Sequence, residues 1–219
     1  MKKTLFMLSF CLICCFAFAQ GGYKQDLNNL ISVNFPAKPE SMDTLGQKIY
    51  KFTDSDAFYM ALVKEHSVED LLISTNKLSE FYDGTINGVL GASKGRLISK
   101  KAFTVAGLKG VEIEYVTTAN PALPDLRFNR MLLINNTFIS LNCLTLSKNK
   151  QATEAVRKHF FNSIALIAKE TDLKQGTDDP TAYAIGYVIG KIAAWAVLLV
   201  IIAGVIFLIK KITTRSKIS

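Results

Sequence analysis

The 219-residue sequence predicts an α+β fold: a mostly antiparallel sheet of about six strands covered by two helices, with one transmembrane helix added near the C-terminal end. Three observations carry that prediction. Several runs between Ile31 and Leu146 alternate apolar and polar side chains with the period of two that a half-buried strand requires. Two stretches, one behind Ser67 and one from Gln151, repeat apolar residues at helical spacing. Ile192 to Ile209 carries no charge over 18 positions. At 1.5 Å per residue that run is about 27 Å long, close to the ~30 Å hydrocarbon core of a bilayer.

The strands follow in order. Ile31 to Phe35 is short and ends at Pro36. Gln47 to Phe52 and Ala57 to Lys64 flank Thr53-Asp54-Ser55-Asp56, a run of turn-forming residues, and read as a hairpin. Arg96 to Val105 supplies another strand. Val111, Ile113, Tyr115 and Thr117 share one face of the next, with Glu112 and Glu114 opposite. Leu126 to Ile134 and Thr137 to Leu146 are joined by Asn135-Asn136, residues that tolerate the left-handed backbone of a two-residue turn.

The first helix opens on Ser67-Val68-Glu69-Asp70, a cap with an acid three residues on, and continues through Leu71, Leu72, Thr75, Leu78 and Tyr82. Gly84, Gly88 and Gly91 are expected to weaken its far end, because glycine costs a helix interior about 1 kcal/mol against alanine. The second helix, Gln151 to Ile164, is expected to bury Ala155, Val156, His159, Phe160 and Ile164.

The two ends predict where the chain sits. Residues 1–19 read as a secretory signal: Lys2 and Lys3, an uncharged run from Leu5 to Phe16, then Ala17 and Ala19 at the positions a signal peptidase selects for small residues. The mature chain then begins at Gln20. Cys14 follows Ile13, where lipoprotein processing asks for a small residue, so lipidation is not expected. Residues 20–169 form the exported domain, 170–182 a polar linker, 183–209 the membrane span and 210–219 a basic tail. Tyr187, Lys191 and Trp195 mark one membrane interface, and Lys210, Lys211 and Arg215 mark the other. The positive-inside rule puts the tail in the cytoplasm, giving a single-pass protein of the cytoplasmic membrane with its domain outside. Lys191 reaches the headgroups by snorkelling along the helix. Ala182, Gly186, Gly190 and Ala194 place small residues every four positions, a face that permits close approach of a second helix; a homodimer through the span is one use of it, and chance in an Ala/Gly-rich span is the other reading.

Seven of the 26 basic residues flank the two apolar ends, leaving 19 against 18 acids in the middle. The domain is near neutral, which excludes the basic face that nucleic acid requires. Cys143 is the sole thiol beyond the signal, so no disulfide forms within the mature chain.

Ile31-Ser-Val-Asn-Phe-Pro-Ala-Lys-Pro opens the domain and is followed by a tyrosine-containing strand pair and a helix. Gly107-Leu-Lys-Gly-Val-Glu-Ile comes next, then a hairpin whose first strand carries Arg127 and Arg130, and a closing His159-Phe-Phe-Asn-Ser-Ile. This order resembles the PsbP-like α/β/α sandwich of photosystem II extrinsic subunits and of small exported bacterial proteins, over about Leu30 to Ile164. The resemblance implies a fold, with no catalytic signature and no cofactor-binding residue to transfer.

The residues themselves predict no catalytic site, no cofactor and no metal. A metal centre needs converging ligands, and only His66 and His159 are present, with Glu65 or Glu69 as the acids that could join them. No Gly-x-Ser-x-Gly elbow, phosphate-binding loop or dinucleotide fingerprint occurs. Gly91-Ala-Ser-Lys-Gly95 is a turn, and Cys143 lies among Leu141, Leu144 and Leu146 as a packed hydrophobe. Lys94, Arg96, Lys100 and Lys101 form the one basic cluster of the domain, read as a charged edge strand. The expected function is a membrane-anchored, non-enzymatic module that binds an envelope protein or a small ligand; the alternative is an envelope hydrolase with an unrecognised site. The domain is further expected to complete its core without the span, so that Gln20 to Lys174 folds alone.

Overall fold

A computed structural model describes residues 22–65, 77–118, 123–135, 137–169, 173, 175 and 182–215, with side chains as far as Ile202. Ten strands form two antiparallel sheets, packed with three helices. The strands are β1 (Tyr23–Asp26), β2 (Ile31–Phe35), β3 (Glu40–Thr44), β4 (Gln47–Thr53), β5 (Ala57–Glu65), β6 (Gly95–Val105), β7 (Leu108–Thr117), β8 (Leu126–Ile134), β9 (Thr137–Thr145) and β10 (Ala165–Leu166). The helices are α1 (Leu78–Ser93), α2 (Glu154–Asn162) and α3 (Ala182–Arg215). The large sheet runs β3-β4-β5-β9-β8-β7-β6, and the small one runs β1-β2-β10. The α+β class stands. Seven of the ten coincide with strands the sequence predicts, and β1, β3 and β10 are short strands it does not signal.

The large sheet is the middle of three layers. Strand alternation sends Ile49, Met60, Leu62, Ile113, Met131, Leu133 and Phe138 to one face, which α1 and α3 cover together. Tyr50, Tyr59, Phe128, Leu132, Ile139, Leu141 and Cys143 point to the other, beneath the small sheet and α2. Every residue of β9 is buried, as a central strand covered on both faces requires. The predicted turns form as read. Asp54 accepts from the backbone N–H of Asp56 and Ala57 at 2.8 and 2.7 Å, closing the β4–β5 turn. Asn135 takes φ +46° between β8 and β9.

Three expectations change. The cap at Ser67 to Asp70 and the turn through Leu71 and Thr75 lie outside the described residues, but α1 does not weaken at its glycines. It runs through Gly84, Gly88 and Gly91 to Ser93 and ends on Lys94 in the left-handed conformation. The buried face of α2 is rotated from the expected one: Arg157, Phe160 and Phe161 point inward, while Ala155, Val156 and His159 are exposed. The cause is Arg157, whose guanidinium lies 3.7 Å over the Phe128 ring and so takes a core position that apolarity alone assigns elsewhere.

The third change concerns the core. It is not complete at Ile164. Ala182, Ile189, Ala193, Ala196, Val197, Val200 and Ile201 of α3 join the same cluster as α1 and the sheet. Within the stretch read as a linker, Gln175 donates to the carbonyls of Lys109 and Leu133 at 2.8 and 2.9 Å and accepts from the Lys109 N–H at 2.7 Å. A chain ending at Lys174 lacks both Gln175 and the helix over Ile49, Met60 and Leu62. Such a chain should lose its cooperative thermal transition and aggregate, as read by calorimetry and light scattering. A sharp, reversible melt equal to that of the full chain is the result that contradicts this core.

Burial also pushes the Cys143 thiol up to about 12, with the nearby Arg157 charge opposing. Unfolded thiols ionise near 8.5, so the folded state holds its proton where the unfolded state loses it. The sign follows: this group's stabilisation is complete below about pH 8.5 and is lost as pH rises toward 12. Cys143 should therefore resist thiol reagents at pH 8 until the domain unfolds, and C143A should flatten the alkaline fall in melting temperature.

Candidate functional site: the two faces of the C-terminal helix

Two helices of the same layer, α1 and α3, meet backbone to backbone. A Cβ built on Gly84 falls 2.1 Å from the carbonyl oxygen of Tyr183, and one on Gly88 falls 2.2 Å from that of Tyr187. The contact is reciprocal: Cβ atoms on Gly186 and Gly190 fall 2.1 Å from the carbonyl oxygens of Phe81 and Thr85. Each glycine thus faces the carbonyl three residues before its counterpart, and the numbering rises together on both helices, so they run parallel. Only glycine allows this approach, which brings Cα–H groups onto carbonyl oxygens and fits the small-xxx-small geometry. Asn87 closes the exposed side, donating from Nδ2 to the Tyr183 hydroxyl at 2.9 Å.

The face predicted to admit a second helix does so within the chain. Ala182, Gly186, Gly190 and Ala194 are all buried, with Gly186 and Gly190 on α1. A homodimer through these residues would have to displace α1.

The opposite face of α3 is uncovered and, Lys191 apart, mostly apolar. Val188, Trp195, Leu199 and Ile202 are 53, 50, 45 and 39% exposed, and their spacing keeps them on one side of the helix. Tyr183 and Tyr187 flank the stripe at its N-terminal end. Lys191 is exposed between Val188 and Trp195, its ammonium 5.5 Å from the Tyr187 ring centroid. Tyr187, Lys191 and Trp195, predicted as interface residues, therefore lie together on the outward face. Lys210, Lys211 and Arg215 belong to the same helix beyond the described side chains. Ala182–Ile202 is one helical segment long and apolar enough to cross a membrane, and half of it is buried against the rest of the chain.

The other side chains singled out in the sequence lie apart from α3 or outside the described residues. His159 is exposed on α2, while His66 and Glu69 lie outside the described residues. Among the described residues no three His, Cys, Asp or Glu side chains gather where a metal ion could sit. Arg130 bonds Glu112 through Nε and Nη2 at 2.9 and 2.6 Å, donates to the Phe161 carbonyl at 2.8 Å and lies over Phe103 and Phe161. It clamps the end of α2 to the sheet. Arg127 is buried on the other face, paired across the strands with Tyr115, whose phenol burial raises against the pull of that guanidinium. Of the basic cluster, Lys94 ends α1 and Arg96, Lys100 and Lys101 lie on β6, an edge strand, with Lys100 paired to Asp83 at 2.5 Å and a bulge between Leu97 and Ser99.

Comparison of the whole arrangement with solved structures decides its type. The solution structure of cyanobacterial PsbP (CyanoP) from Synechocystis superposes with a TM-score of 0.51 at 11% identity, covering 67% of this chain and 93% of that one. The fold is PsbP-like. A Pseudomonas aeruginosa protein of unknown function (TM-score 0.38, 12% identity, 63% of this chain and 92% of that one) also matches, as does a Bacteroides thetaiotaomicron protein (0.31, 13%, 69% and 50%); both superpose too loosely to inform the site. No family model and no curated protein matches the sequence. To this PsbP-like domain the chain adds α3, seated by glycines and exposing an apolar stripe.

Neighbouring glycines of α1 should respond with opposite signs. At Gly88 a methyl group meets backbone that cannot swing away, so G88A should destabilise by about 3 kcal/mol. At Gly91 the nearest atom to a new Cβ is the mobile Tyr187 hydroxyl at 3.8 Å, and G91A should stabilise by about 0.5–1 kcal/mol through helix propensity. Denaturant unfolding of the two variants checks the pair; equal effects would mean that α3 is not seated on α1.

Proposed function

We propose that the chain is a non-enzymatic binding module held at a bacterial membrane by α3, presenting its PsbP-like domain on the outer side to an envelope protein or small ligand. One observation carries the reading: α3 remains apolar on the face turned away from the domain, at Val188, Trp195, Leu199 and Ile202. A soluble domain gains nothing from such a stripe, whereas a helix apolar all round is suited to lipid on whichever face protein does not cover. The sequence supports the direction. Lys210, Lys211, Arg215 and Lys217 follow the last uncharged residue, and each basic group near an anionic surface contributes about 1 kcal/mol. With the N-terminal signal removed after Ala19, those charges stay cytoplasmic and the domain is exported.

Tethering serves binding by raising local concentration at the surface, a gain that needs no new contact.

Membrane fractionation tests the proposal. The chain should sediment with membranes, resist high salt and alkaline carbonate, and enter detergent. Replacing Val188, Trp195 and Leu199 together with glutamine removes apolar surface from the outward face alone. This variant should fold normally and move largely to the soluble fraction. Recovery of the unaltered chain as a salt-soluble protein would refute the membrane assignment, and a reporter after Ser219 active only outside the cytoplasm would refute the orientation.

A further inference from the structure

The seat of α3 and a bilayer span require the same residues. In the docked position Ala193, Ala196, Val197, Val200 and Ile201 are buried in the core with α1 and the sheet. Beyond Ile201 only eight uncharged residues, Ile202 to Ile209, precede Lys210. Eight residues make about 12 Å of helix, less than half of the ~30 Å needed to cross. A docked α3 can therefore rest on a bilayer through its outward stripe but cannot span it. To span, Ile192 to Ile209 must leave the domain, and the pairing of Gly84 and Gly88 with the carbonyls of Tyr183 and Tyr187 must open.

Resting on the reading that α3 reaches a membrane, we propose that α3 has two mutually exclusive seats, the groove formed by α1 and the sheet and the bilayer interior, and that release from the groove is the step that permits insertion. The composition of the helix fits both. Its small face matches the glycine-bearing face of α1, which lipid does not demand, and its remaining apolar side chains match lipid, which the domain does not demand. Docking leaves the stripe exposed; insertion covers it but uncovers Ile49, Met60, Leu62 and Phe81. Each seat thus leaves one apolar surface open, and the relative cost of the two surfaces sets the balance.

The test uses the full chain with vesicles of phosphatidylethanolamine and phosphatidylglycerol. Trp195 is the one tryptophan of the sequence, so its quenching by lipids brominated deep in the acyl chain reports insertion, and hydrogen exchange of the α1 amides reports undocking. A lock is available where Asn87 and Tyr183 side chains meet: N87C with Y183C, joined by a short thiol cross-linker, with the bridge confirmed by peptide mapping. G88L is the release variant. Deep quenching should rise together with α1 exchange in the unaltered chain, rise several-fold in G88L, and fall to background in the locked chain while low-salt vesicle binding persists. Deep quenching of the locked chain equal to the unlocked one, or insertion without faster α1 exchange, overturns the exclusivity and leaves membrane association standing. If no form binds vesicles, the membrane reading falls with it. Should G88L fail to fold, the locked chain decides alone.

Discussion

The contact on which the rest of the structure depends is the reciprocal approach of glycines to carbonyls between α1 and α3. Four positions, Gly84, Gly88, Gly186 and Gly190, give up side chains so that two helix backbones can touch. In an isolated helix each would cost about 1 kcal/mol against alanine. Here the loss is offset by dense packing and by Cα–H contacts onto oxygen. The pairing also fixes rotation. With Gly186 and Gly190 facing α1, Ala193, Ala196 and Val200 can only face the core, and Val188, Trp195 and Leu199 can only face outward. An apolar stripe on the surface is thus a consequence of how the core is closed.

Beneath that pair the large sheet leaves little room for chemistry. Both faces of β5, β8 and β9 are covered, and their polar side chains mostly satisfy one another. Ser140 donates to Asn129 and accepts from Asn142, at 2.8 and 3.0 Å, as a closed chain. Arg127 and Arg157 enter the core as stems and planar cations stacked or bonded to aromatic partners, and each leaves its buried Nε unpaired. The guanidinium tolerates such sites better than an ammonium because it is weakly hydrated and lies flat on rings. Among the described residues the one thiol is held protonated by burial, and Tyr59, Tyr82 and Tyr115 all have their phenols pushed upward for the same reason. These four groups pack the core.

Much of the fold was legible because its signals are local. Alternation located β2, β4, β5, β7, β8 and β9, and the Asn135 turn was readable from residue type alone. The missed strands have physical reasons. Glu40–Thr44 is an edge strand of polar residues with one paired neighbour, and Tyr23–Asp26 is mostly exposed at the margin of the small sheet. Of the two, only Met42 packs an apolar side chain on the core, so neither shows a run of alternation. The glycines of α1 misled for the opposite reason, since propensity describes an isolated helix and these residues answer to a partner about a hundred positions away. The rotated face of α2 was hidden because Arg157 is polar by composition and buried by geometry. At the site, the small face and the outward residues of α3 were each readable from spacing; what spacing could not say was that the partner of the small face is α1.

Composition alone assigns α3 to lipid, and packing alone assigns it to the core; the arrangement of residue sizes reconciles them. A bilayer accepts any apolar side chain at every position, so it gives no reason to segregate alanine and glycine from tryptophan, leucine and valine around the helix. The domain supplies that reason, because Ala182, Gly186, Gly190, Ala193 and Ala196 all lie where backbone or sheet approaches closely. A soluble core in turn gives no reason to keep Val188, Leu199 and Ile202 apolar on the far side, or to end the uncharged run at two lysines. The first pattern is what a protein partner selects and the second is what lipid selects. Their coexistence on one helix, in register with the fold, makes α3 the closing element of the domain while leaving it long and apolar enough to cross a membrane.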